Sequence, residues 1–177
     1  LAQRNMESRL ALDKFLIDGK CPRFLDINLR KPWFNKHTVR RSLLRADIVK
    51  MNEDELAVVS KYFKLSGQNN HQRALDLLQR FELKQLLVTC SAAGSWLLNE
   101  HKELVIADPV ELSHPMVDTV GAGDAFAAVF IIGLLNSWDM QITLQRATEF
   151  ASAICGIRGA APQALNFYIP FKKEWAI

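Results

Sequence analysis

At 177 residues, with 49% hydrophobic and 23% charged side chains, the chain has the composition of a single folded domain with a buried core, which excludes a disordered protein. A net charge of +3 falls short of the basic signature of a nucleic-acid-binding domain. The longest apolar stretch, residues 125–135, is too short for a membrane span, which needs about 20 residues, so the expected protein is soluble and cytoplasmic, without nucleic acid or membrane as partner.

The opening "LAQRNMESRLALDKFL" mixes charged and apolar residues at helical spacing, which is not the pattern of a signal peptide. It also lacks an initiator Met, and the expectation is a piece of something longer. A helix ending near residue 16 is stopped by Gly19, and "CPRFLDIN" reads as a buried strand. "KHTVRRSLLRA" has helical spacing and "ADIVKM" is a second strand. Helices are expected over 53–63 and 71–81, then a third strand, "KQLLVTC". "GSWLLN" and "ELVIA", separated by polar residues, look like a hairpin. A loop with Pro109 and Pro115 leads to a helix after Gly123, and a last helix covers 140–157. Strands alternating with helices predict right-handed crossovers and a mainly parallel sheet with helices on both faces.

Cysteine and histidine offer little chemistry. Cys21, Cys90 and Cys155 are odd in number and lie in or beside apolar segments, so they read as buried thiols of a reducing compartment. His37, His71, His101 and His114 are scattered, which suits neither a metal cage nor a Cys/His nucleophile. Arg30, Lys31, Lys36, Arg40, Arg41, Arg45 and Lys50 form a basic run, read as a solvated helix face because no aromatic stacking pattern accompanies it.

In such folds ligands sit at the carboxyl ends of the strands, and four stretches there could carry chemistry. In "DINLR", an extended backbone would point Asp26, Asn28 and Arg30 to one side, a set able to bind phosphate and metal-bound water; a polar strand end with an Asx turn is the plainer reading. Asn52 and Glu55 have the spacing of a capping box, yet the same geometry aims a carboxylate that could hold water around Mg²⁺. "TCSAAG", residues 89–94, is a small-residue turn that would let backbone amides approach an anion, or simply turn a hairpin.

The fourth stretch is "DTVGAGDAF". Gly121, Ala122 and Gly123 leave backbone N–H groups at a helix N-terminus, where unpaired donors and the positive dipole end favour negative charge. Asp124 beside them either favours the helix start, by about 0.3–1 kcal/mol, or accepts a proton from an attacking hydroxyl. A dinucleotide-binding turn is excluded, because Phe126 stands where the third glycine belongs and no buried strand precedes.

"DTVGAGD" resembles the second signature of the ribokinase-like (PfkB) carbohydrate kinases. "DINLRKPW", the Asn52–Glu55 pair, "VTCSAAG" and "GIRGAAP" agree in order, and the wording looks most like bacterial fructokinases. The resemblance implies a three-layer α/β/α fold with a mostly parallel sheet. It also implies that this chain is the nucleotide-binding part, with the N-terminal part, most sugar contacts and the lid missing. By the same resemblance Asp124 is the general base for a sugar hydroxyl and residues 121–123 form an anion hole, with ATP and Mg²⁺ as donor. Asn52 and Glu55 help place the phosphates and, through water, the metal, while Thr89, Ser91 and Gly94 line the nucleotide side, where Cys90-Ser91 replace the commoner Leu-Gly. Thr148 falls near the adenine. Asp118, Val120 and the loop of Arg158, Gly159 and Ala160 resemble the stretches that hold a monovalent cation such as K⁺ in some members. The implied activity is phosphorylation of fructose or a related sugar, with this chain alone weakly active or inactive. The alternative is a nucleotide-binding or regulatory module without catalysis. Strand edges left uncovered would favour pairing with another chain, for instance as a homodimer.

Overall fold

The computed structural model describes residues 5–110 and 115–177. The first four residues of the opening helical pattern and His114 lie outside the described residues. The chain divides into two compact units, Leu1–Cys90 with Leu97–Leu104, and Ser91–Trp96 with Val105–Ile177.

In the first unit every helix starts on an asparagine whose side chain takes an N–H that the helix itself leaves unpaired. Asn5 caps α1 (Met6–Asp18), Asn35 caps α2 (Lys36–Leu43), Asn52 caps α3 (Glu53–Phe63) and Asn69 caps α4 (Asn70–Arg80). Between them run β1 (Phe24–Asp26), β2 (Ile48–Asn52) and β3 (Gln85–Thr89). The three strands are parallel, with Leu25 opposite Val49 and Val49 opposite Leu86. Val49, Met51, Leu86, Leu87 and Val88 are wholly buried, the expected state of parallel strands covered by crossover helices.

Two expectations fail here for physical reasons. "CPRFLDIN" yields a strand of only three residues, all half-buried, because β1 ends the strand order and has a single hydrogen-bonded neighbour. The basic run is not one solvated face: Lys50 is 6% exposed, and its Nζ donates to Asp26 Oδ2 at 2.9 Å. The two residues are register partners across β1 and β2, so the pair is built into the sheet. Arg41 and Arg45 both pair with Asp13. Asp26→Ala would leave the buried Lys50 ammonium uncompensated and is expected to cost about 3 kcal/mol. Lys50→Met in the same background should return most of that loss, as denaturant unfolding would show; equal stability of Asp26→Ala and wild type would contradict the pairing.

The strand order is β1-β2-β3-β4-β5, with β4 covering Ser95–Asn99 and β5 covering Leu104–Ala107. Five residues separate β3 from β4 and four separate β4 from β5, too few for a parallel crossover, so each step reverses direction. Asn99 closes the second turn, its Oδ1 accepting the N–H groups of His101 and Glu103.

In the second unit, α5 (Ala122–Leu135) packs on α6 (Met140–Ile154) through Gly133, where a Cβ would overlap the side chain of fully buried Thr143. Phe126, Phe130, Leu144, Ala147 and Ile154 fill this core. Gln141 Nε2 donates to the Ile106 carbonyl and Asp108 N–H to Gln145 Oε1, fastening the end of β5 to α6. The last predicted helix stops three residues early, and a further short helix follows, α7 (Ile169–Trp175), with Pro170 in its first turn. Its Phe171 and Trp175 pack edge-to-face against Phe150 with ring centroids 4.9 and 5.9 Å apart.

Among the described residues no helix is long and apolar enough to cross a membrane. The cysteines form no disulfide, but their expected burial fails: Cys21 is exposed, and Cys90 and Cys155 are half-buried.

Candidate active site

The entrance to α5 is set by backbone, not by a capping side chain. Gly121 is the N-cap, at φ +85°, and no side chain accepts a hydrogen bond there. A Cβ on Gly121 would lie 2.6 Å from the Ala160 carbonyl oxygen and 2.7 Å from Ala160 Cα. Glycine is therefore required twice, by the left-handed conformation and by the close approach of a second turn. The Ala122 N–H donates to the Thr119 carbonyl at 3.3 Å, so it is not bare as the sequence reading expects. The N–H groups of Gly121, Gly123 and Asp124 have no hydrogen-bond partner among the described residues.

Asp124 is the third residue of α5 and is exposed. Among the described residues its carboxylate makes no hydrogen bond or ion pair, so it is not consumed as a cap. A carboxylate with free lone pairs stands beside free donors at the positive end of a helix, and that combination suits an anion bound next to a hydroxyl that must lose its proton.

Asp118 is engaged. Its Oδ1 accepts the Val120 N–H at 3.0 Å and its Oδ2 the Gly159 N–H at 3.2 Å, while its own N–H and that of Val117 donate to the Cys155 carbonyl. The bonds from Val120 and Gly159 hold the Asp118 carboxyl below the ordinary aspartate value. Burial, and the Asp118 charge, push the Cys155 thiol up. A depressed carboxyl stabilises the fold above its unfolded value, and the contribution is lost as pH falls through the folded value. The protection of the Val120 and Gly159 amides, their exchange relative to the intrinsic rate at the same pH, should accordingly fall on acidification below the ordinary carboxylate range, while the amides inside α6 stay protected. Simultaneous loss of both would contradict a local role for Asp118.

Of the remaining second-unit candidates, Gly94 and Thr148 are held by packing. Gly94, at φ +87°, would bring a Cβ to 2.6 Å from the Ala107 carbonyl, and Ser91 is exposed at the start of a 3₁₀ turn, Ser91–Ala93. Thr148 is buried; its hydroxyl donates to the Leu144 carbonyl at 2.9 Å and meets Ser95 Oγ at 2.7 Å. Gly159, at φ +86°, faces open space.

In the first unit the capping box is real. Asn52 Oδ1 accepts the Glu55 N–H at 2.8 Å and Glu55 Oε2 the Asn52 N–H at 2.9 Å. Glu55 does more than close its own helix, because Oε1 accepts the Leu29 N–H at 2.8 Å and ties the loop after β1 to the start of α3. Asp26, Asn28 and Arg30 do not share one side. Asn28 adopts φ +38°, which breaks the extended alternation; Asp26 is taken by Lys50 and Arg30 is exposed. Thr89 ends β3 half-buried. Two partnerships escape sequence reasoning, Ala160 against Gly121 and Lys50 with Asp26. The lone Lys in the apolar "ADIVKM" was the available signal for the second.

No group of three or more His, Cys, Asp or Glu residues that could hold a metal occurs among the described residues. A carboxylate such as that of Glu55 suits Mg²⁺ carried by a ligand's phosphates, an ion that keeps its waters and needs few protein ligands.

A sequence profile of the pfkB family carbohydrate kinases matches residues 14–165. The chain belongs to the pfkB family. It is 31% identical over 156 residues to an aminoimidazole riboside kinase of Salmonella typhimurium, covering 84% of this chain and 46% of that protein. It is 32% identical over 158 residues to a fructokinase of Escherichia coli, covering 84% and 48%. The chain thus spans about half the length of these curated relatives. Among solved structures, an ATP-bound fructokinase of Xylella fastidiosa superposes with a TM-score of 0.78 at 16% identity, covering 99% of this chain and 60% of that one. A ribokinase of Thermotoga maritima gives 0.73 at 21%, covering 90% and 52%. These likenesses show the expected ribokinase-like α/β fold, with its mostly parallel sheet.

Proposed function

We propose that the protein is an ATP-dependent sugar kinase in which Asp124 is the general base. One observation carries the reading: among the described residues the Asp124 carboxylate is unengaged in the first turn of α5, next to N–H groups that have no partner. A sugar hydroxyl would pass its proton to Asp124 as its oxygen attacks the γ-phosphorus, and ADP leaves with the electron pair of the broken P–O bond. The N–H groups of Gly121 and Gly123 would receive the negative charge of the transferring group. Mg²⁺ would supply charge neutralisation on the phosphates, and the family resemblance assigns Asn52 and Glu55 to its waters. Fructose is the acceptor to test first, since fructokinases are among the relatives. Three cysteines, none of them in a disulfide, suit a reducing, cytoplasmic setting. Monovalent-cation dependence and a homodimer remain part of the proposal, to be read from activity with and without K⁺ and from light scattering.

The test is a coupled ADP-release assay with fructose, run on the protein expressed from its complete reading frame and on the 177-residue chain, beside calorimetry with ATP and Mg²⁺. Turnover in the first, with nucleotide binding in both, is the expected result. Binding without turnover in either would favour the regulatory module.

A further inference from the structure

The α5 entrance has no capping side chain, yet Gly121 must hold φ +85° while backbone from a distant part of the unit lies against its Cα. Something has to fix the two turns together, and dispersion between two small residues is weak. The polar link nearest to that contact is Asp118. One carboxylate oxygen holds the Val120 N–H, the residue before Gly121; the other holds the Gly159 N–H, the residue before Ala160. The Cys155 carbonyl anchors the stem of the same loop by accepting from Val117 and Asp118 at 2.9 and 3.2 Å.

We infer that Asp118 is a positioning residue: by bridging the Val120 and Gly159 amides it locks the 159–160 turn against Gly121 and so aims the free N–H groups of Gly121 and Gly123 at a phosphate. The bridge needs both oxygens as acceptors. Asparagine offers one acceptor and places an NH₂ donor against the other N–H, so it breaks half of the clamp while keeping the size of the side chain. The inference rests on the reading of the α5 entrance as a phosphate site.

Calorimetry on the 177-residue chain tests it through the ratio of ATP to adenosine affinity, which reports the phosphate contacts alone. Losing one charge-assisted hydrogen bond of the clamp is expected to lower that ratio about tenfold in Asp118→Asn, and Asp118→Ala should lower it further. Asp139→Ala is the control, because Asp139 caps α6 in the same unit by accepting from Gln141 and Ile142. It should lower the melting temperature and leave the ratio unchanged. Amide exchange at 119–123 and 159–160 should quicken in the Asp118 variants only. If Asp118→Ala does not fold, Asp118→Asn decides. A folded Asp118→Asn with the wild-type ratio, or with a fall no larger than that of Asp139→Ala, overturns the inference. A wild-type chain that binds ATP no more tightly than adenosine overturns the phosphate reading itself, and the positioning role with it.

Discussion

Asp124→Asn is expected to slow phosphoryl transfer about a thousandfold, the middle of the range for loss of a general base, in the protein expressed from its complete reading frame. Asparagine keeps the size and polarity of the side chain but cannot take the sugar proton. The wild-type carboxylate carries its negative charge beside the site proposed for the nucleotide's phosphates, so its neutralisation removes repulsion and ATP affinity should hold or rise. The stability change should be small, because Asp124 is exposed and no capping bond is lost; only the dipole contribution of about 0.3–1 kcal/mol is at stake. Turnover that survives while ATP affinity falls would make Asp124 a binding residue and remove it as the base.

Gly121→Ala carries the second large effect. The new Cβ would meet Ala160 at 2.6 Å from its carbonyl oxygen, and the residue would still have to hold φ +85°. Left-handed strain and overpacking together are expected to cost about 3 kcal/mol. Gly159→Ala is the informative comparison, since Gly159 shares the left-handed conformation, φ +86°, but nothing lies within 4 Å of its Cβ direction. It should cost only the backbone part, about 1 kcal/mol. Urea unfolding of the two variants would separate conformation from contact. Equal losses would mean that the approach of Ala160 is not a constraint.

The elements most legible in the sequence are those governed by local chemistry. α3 keeps both predicted ends because its start is written as Asn52 and Glu55, a capping box that neighbours need not complete. The same pair shows the limit of local reading: the Leu29 N–H reaches Glu55 from 26 residues away. Asp26, Asn28 and Arg30 were expected to alternate, and the alternation fails at a left-handed Asn28, a conformation that its short polar side chain tolerates. α7 escaped because an aromatic run with Pro170 has no clear period; its rings matter through packing on Phe150, a tertiary fact. The glycines at 121 and 123 mark a helix entrance in the sequence, but the reason for Gly121 lies at Ala160, beyond any spacing rule.

The most direct measurement is an amide titration by NMR of the ¹⁵N-labelled chain with ATP, with adenosine as the comparison. The N–H resonances of Gly121, Gly123 and Asp124 should move saturably with ATP and stay in place with adenosine, because those donors have no partner among the described residues to leave. If they are indifferent to ATP, or move equally for both ligands, the α5 entrance does not receive phosphate.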